Sequence, residues 1–220
     1  MRPSTPWRAW AQRVLGFGPS RIALALAMLF VLVSLALPYW SLGVTVGPDQ
    51  DVSSFSSSTV ITDRYRSGSW DGTQILPYTS TQFTYRQVAG VLGTAYLLVV
   101  VLFIVFAVVL ALFSTDYGQL MPTLSLLIVS LIVLGVSLLA LFYPIAAIPA
   151  AATTDVRTFT IGGFWGSARE PPLDWSWGPA LGWWLLLVAV VLGTLGSVVP
   201  YLKSVRAMVP AAPKPSRPST

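Results

Sequence analysis

The sequence predicts a membrane all-α fold, a left-handed four-helix bundle capped on its extracytoplasmic side by a small antiparallel β-sheet. Three observations carry that prediction. Hydrophobic residues make up 55% of the chain and charged residues only 10%, where a soluble domain carries about 25% charged. The apolar residues gather in four runs, each near the roughly 20 residues that a helix needs to cross about 30 Å of hydrocarbon. Directly after the first run, "WSLGVTV" (40–46) changes to strict alternation, the period of a half-buried strand.

Residues 1–21 form a basic N-terminus with Arg2, Arg8, Arg13 and Arg21, and the first span is predicted over 22–40. Basic residues before an apolar run also mark signal peptides. This run is long, however, and it closes on Leu-Pro-Tyr-Trp rather than a small-x-small cleavage pattern, so an uncleaved helix is expected. The loop over 41–87 carries β-like stretches at 40–46, 58–66 and 81–86, separated by Gly-Pro-Asp, Ser-Gly and Asp-Gly signals. The polar run from Ser53 to Ser58 reads as a mobile loop.

The second span, 88–113, has 26 residues and no charge, enough to tilt or to project from the bilayer. A short turn, 114–121, leads to the third span over 122–147. The second long loop, 148–178, offers a further strand at 155–165. Its Pro pair and Trp-Gly-Pro turn predict a rigid re-entry, with Pro179 at the first position of the fourth span, 179–201. The Pro-, Ser- and Ala-rich end of 202–220 is expected to be a disordered tail.

Charge sets the expected orientation. Four basic residues precede the first span, and Lys203, Arg206, Lys214 and Arg217 follow the last, with no acid among them. The long loops hold seven acids and five basic residues. Both termini are therefore expected in the cytoplasm and both long loops outside, in a cell membrane. The net charge of +5 is read as this topology signal, with attraction to anionic lipid head groups, and not as a nucleic-acid surface. Arg outnumbers Lys 11 to 2, a bias that hints at a GC-rich, prokaryotic genome.

The chemistry available is narrow. The chain has no His, no Cys and no Asn, which removes disulfides, thiolate metal sites, the usual neutral-pH base and N-glycosylation. No Asp, Glu, Lys or Arg lies inside a span, which disfavours proton-coupled transport, pumping and voltage sensing. Asp63 and Asp71 would need perturbed pKa values and a closed pocket to act as acid and base. No catalytic residue, metal or resident cofactor is expected, beyond a possible bound lipid or pigment.

What remains points to contacts. Ala23 and Ala27, Ala89 and Gly93, Gly90 and Thr94, and Gly193 and Ser197 recur at helix-interface spacing. Packing within the bundle is their expected use, a partner-facing surface the alternative. Trp165, Trp175, Trp177, Trp183 and Trp184 crowd the second loop and the start of the fourth span, level with Tyr39 and Trp40. Interfacial anchoring is expected of them, with an aromatic pocket for a lipid, pigment or partner side chain as the alternative. Arg64, Arg66, Arg86, Asp63 and Asp71 suit an ion-pair network pinning the sheet, with Arg86 where a strand feeds the second helix.

With Trp40 opening the first strand, Ser69-Trp70 further along and Arg86 followed by "QVAGVL", the chain resembles the claudin/PMP22 four-helix superfamily. Trp70 stands where that family has Gly-Leu-Trp. The family's paired loop cysteines have no counterpart here, and the Trp40–Trp70 spacing is wider. The resemblance implies cytoplasmic termini, a first outer loop of several strands joined by one from the second, and a non-enzymatic role in membrane contacts. The function expected is that of an accessory or scaffold subunit in a complex with other integral membrane subunits and membrane lipids. Trp40 and Trp70 would then fix the outer domain to the helix ends, and Arg86 would tie the sheet to the second helix. The alternative is a small-solute transporter or a lipid- or pigment-binding protein with a cavity between helices.

Overall fold

The structure is a computed structural model that describes residues 18–115 and 121–208. Expectations for most of the basic N-terminus, part of the 114–121 turn and the tail beyond 208 lie outside the described residues. The elements run α1 (Gly18–Leu35), β1 (Trp40–Val46), β2 (Asp49–Phe55), β3 (Thr59–Arg66), β4 (Ser69–Pro77), α2 (Arg86–Ser114), α3 (Thr123–Val156), β5 (Gly166–Glu170), β6 (Leu173–Pro179) and α4 (Leu181–Met208).

All four helices are long and apolar enough to cross a membrane. They form a ring in which α1 and α3 each lie against both α2 and α4. Leu24 and Val31 of α1, Leu92 and Phe106 of α2, Val133 and Ile148 of α3, and Leu186 of α4 are buried between them. Leu29, Leu97, Ile104, Leu131 and Leu195 point outward and are exposed. In lipid such packing must come from close contact rather than from water exclusion, and small residues on α4 provide it. A Cβ on Gly196 would stand 2.9 Å from Ser20 O of α1, and one on Gly193 would fall inside the Phe106 ring of α2. Ser130 of α3 shares its hydroxyl proton between Leu126 O at 2.8 Å and Ser197 O at 3.0 Å.

The helix limits differ from the predicted spans for local reasons. α1 ends at Leu35 rather than 40. Pro38 disfavours helical backbone at Leu37, and Ala36 and Leu37 close the helix with bonds to Val33 O and Ser34 O, both 3.1 Å. α3 continues past 147 to Val156 through Pro144 and Pro149. Each proline removes one helical bond, while the alanines around them favour helix. Its 34 residues span about 51 Å, so α3 rises beyond a bilayer core. α4 likewise runs through Pro200 to Met208, so residues 202–208 are helix rather than tail.

The sheet has six strands in the order β4-β3-β2-β1-β6-β5, all antiparallel. It stands at the end of the bundle where α1 and α3 finish and α2 and α4 begin. β1 is the direct continuation of α1, and β6 leads into α4. These helices are neighbours, so their strands pair, with Trp40 opposite Pro179 and Leu42 opposite Trp177. One sheet thus takes four strands from the first long loop and two from the second.

Expected strands at 40–46 and 58–66 are present as β1 and β3. That at 81–86 is not a strand. Its alternation instead reports Phe83 buried against Tyr78 and Tyr85, with no partner strand to bond its backbone. That at 155–165 is also absent. Asp155 and Val156 complete α3, and 157–165 is a loop that bends at 158–159 and 163–165 and is bonded mainly by side chains. Ser53 and Ser54 belong to β2 rather than to a loop, and Ser53 Oγ bonds Thr62 Oγ1 at 3.0 Å. Pro179 ends β6 instead of opening α4; Ala180 and Gly182 donate to Tyr39 O at 3.0 Å and Pro38 O at 2.8 Å.

Candidate functional site: an aromatic joint and two open faces

The joint between sheet and bundle grows from the Leu-Pro-Tyr-Trp turn. Tyr39 is wholly buried and stacks on Tyr96 of α2, with centroids 4.3 Å apart. Tyr96 donates its hydroxyl to Leu37 O at 2.6 Å, and Ser34 Oγ lies 3.1 Å from the Tyr39 hydroxyl. One residue on, Trp40 is also 0% exposed and packs on Phe55 at 5.5 Å. Phe55 in turn meets the edge of Tyr85 at 5.4 Å.

Two indoles from neighbouring strands then grip consecutive carbonyls of the 157–165 loop. Trp40 Nε1 donates to Phe164 O, and Trp177 Nε1 to Gly163 O, both at 2.9 Å. Trp183 is buried, donates to Leu141 O of α3 at 3.3 Å and packs on Phe164 at 5.5 Å. Trp40, Trp177 and Trp183 are therefore pins of the joint. Trp175 lies against Phe159 at 5.3 Å, its indole N–H buried without a partner among the described residues. Of the five tryptophans between 165 and 184, Trp165 and Trp184 are the open ones, at 62% and 50% exposure, and Trp184 sits in the first turn of α4, where an interfacial anchor belongs.

Trp70 does not fix the sheet to the helices. It is 65% exposed and lies beside the β3–β4 turn, the end of the sheet remote from the bundle, because Arg66 pairs with Ser69 and Thr59 with Pro77. Nor does Arg86 tie the sheet to α2. Its side chain is exposed and forms no ion pair among the described residues. The head of α2 is instead tied to α3 by Asp155, whose carboxylate accepts Gln87 N at 3.2 Å and Val88 N at 2.9 Å. It caps orphan amides of α2 from the last turn of α3, the role a local Ser or Asp usually fills. Burial chiefly, and the Asp155 carboxylate second, raise the Tyr85 hydroxyl above its ordinary pKa.

The expected ion-pair network is redistributed. Arg66 pairs with Asp51 at 2.7 Å and Arg169 with Asp174 at 3.2 Å. Arg64 bonds Gln74, and Asp63 accepts from Thr73. Both ion pairs are open to water, where solvent screening leaves little net stabilisation.

Two faces remain open. On α2, Gly90, Gly93, Thr94 and Leu97 all point away from the bundle, and a Cβ at either glycine would meet nothing within 4 Å. These small residues do not pack within the bundle, unlike Gly193 and Ser197. The register puts the aliphatic Val88, Leu92, Ala95 and Val99 inward and leaves the glycines outside. On the sheet, β4 is an edge strand of nine residues, with Ile75 at 61% exposure and Trp70 on the same face. An unpaired edge offers backbone donors and acceptors to another chain. Both faces suit binding, and neither brings together groups for acid–base or nucleophilic chemistry.

Compared with family models and with curated proteins, the chain matches none.

Proposed function

We propose that this chain is a non-catalytic integral membrane protein that acts by association, as an accessory or scaffold subunit of a larger membrane complex. The observation that carries this reading is the outward position of Gly90, Gly93 and Thr94 on α2. Small residues on an outer helix face let a second helix approach closely enough for backbone-level packing, the main source of helix association in lipid. The bare β4 edge, with Trp70 and Ile75 exposed, supplies a second contact outside the hydrocarbon.

A claudin-like architecture fits this role. Its supports are Trp40 at the opening of the first strand and the joining of second-loop strands beside β1. In this reading the sheet faces outside and both termini lie in the cytoplasm of a cell-membrane protein, as the Lys/Arg bias requires. The test is a mild-detergent pull-down of the full chain with mass spectrometry. Recovery of a defined set of membrane subunits, lost in Gly93→Leu, is expected; repeated recovery of the chain alone as a monomer refutes the proposal.

A further inference from the structure

α1 and α2 touch least of the four neighbouring helix pairs, and the reason is visible at both ends of α1. At the sheet end, the Tyr39–Tyr96 stack and the Tyr96–Leu37 bond hold it to α2. At the other end, Gly196 draws Ser20 and Leu24 onto α4. Pulled to α4 there, α1 parts from α2 and leaves a cleft of about 430 Å3, lined by Arg21, Ile22, Ala25 and Leu29 of α1 and by Leu110 and Ser114 of α2.

The lining is aliphatic except at one end, where the Arg21 guanidinium and the Ser114 hydroxyl stand. Arg21 forms no ion pair among the described residues, and the 17 residues before Gly18 contain three further Arg and no acid. An apolar trough with a cation at the level where a helix leaves the hydrocarbon matches one chemistry, a long alkyl chain ending in an anion. A free inorganic anion would leave the trough unfilled, and a zwitterionic lipid would bring a second cation to Arg21.

We infer that the α1–α2 cleft binds one anionic phospholipid, its acyl chain along Ala25, Leu29 and Leu110 and its phosphate on Arg21. This inference needs the membrane setting but not the subunit reading, so the two fail separately. It is tested on the full chain in mild detergent by native mass spectrometry, with phosphatidylglycerol and phosphatidylcholine supplied in equal amounts. One phosphatidylglycerol is expected to be retained in preference. Arg21→Gln should cut that preference about fivefold, the share of one cation near an anionic head group. Ala25→Trp, which fills the trough, should lose both lipids, and Lys203→Gln, on α4, should change nothing. Equal retention of the two lipids by the unaltered chain overturns the inference. So does an unchanged preference in Arg21→Gln, or an equal loss in Lys203→Gln, which would make the effect one of overall charge.

Discussion

The carboxylate of Asp155, in the last turn of α3, accepts the backbone N–H of Val88 at 2.9 Å across 67 residues of chain. Replacing it with Ala leaves two orphan amides at the head of α2. Loss of a cap of this kind costs about 1–2 kcal/mol, to be read as a lowered thermal midpoint in detergent. The same substitution should lower the Tyr85 pKa in an ultraviolet titration while leaving it above 10.0, because burial is the larger cause. An unchanged midpoint would show that water satisfies these amides equally well.

Alkaline pH should weaken the sheet end of the molecule. Burial raises the hydroxyls of Tyr78 and Tyr85 above the ordinary 10.0, so the fold favours the neutral phenols. Their contribution is whole below pH 10 and is lost as pH climbs through the raised values. Stability measured between pH 9 and 12 should therefore fall, and Tyr78→Phe should flatten part of that slope.

Trp40→Ala removes a ring that is wholly buried together with the donor to Phe164 O. A loss of about 3–5 kcal/mol is expected. Trp177→Phe keeps most of the ring and frees only Gly163 O, for about 1 kcal/mol. Both release one end of the 157–165 loop, so tryptic cleavage after Arg157 should quicken in each, and more in Trp40→Ala.

Two glycines on facing pages of the same bundle should behave oppositely. Gly193→Ala drives a methyl into Phe106 and should cost about 1–3 kcal/mol by overpacking. Gly93→Ala meets open space and should hold or raise the midpoint, since Ala favours helix over Gly, while weakening co-purification of partner subunits. If both lower the midpoint alike, α2 does not carry its glycines outward.

Much of this architecture is legible in the residues, and the exceptions share a cause. The four apolar runs and the alternation from Trp40 rest on local composition, and helices and β1 follow from it. β2, "DQDVSSF", has the composition of a loop; it is a strand because β1 and β3 bond both its edges. The signal for β4 lay in its turn: Ser67 and Gly68, at φ 50° and 77°, suit the two-residue hairpin turn with both central residues left-handed, which obliges a strand to follow β3. The outward glycines of α2 were invisible because small-residue spacing reports a close-packing face without saying which side of the helix it occupies. The Asp155 cap joins positions that only the reach of α3 beyond 147 brings together.

The pairing of Trp40 with Pro179 sets an order of assembly. β1 to β4 are successive hairpins and can form as soon as their own loop has been synthesised. The other edge of β1 stays bare until the third helix has crossed, the second loop has followed it and β6 has arrived. Contacts so distant in sequence are slow to close, and Trp40 has no carbonyl to bond until Phe164 comes with them. A strand at the centre of the finished sheet is thus, during synthesis, the one that waits longest for its second neighbour.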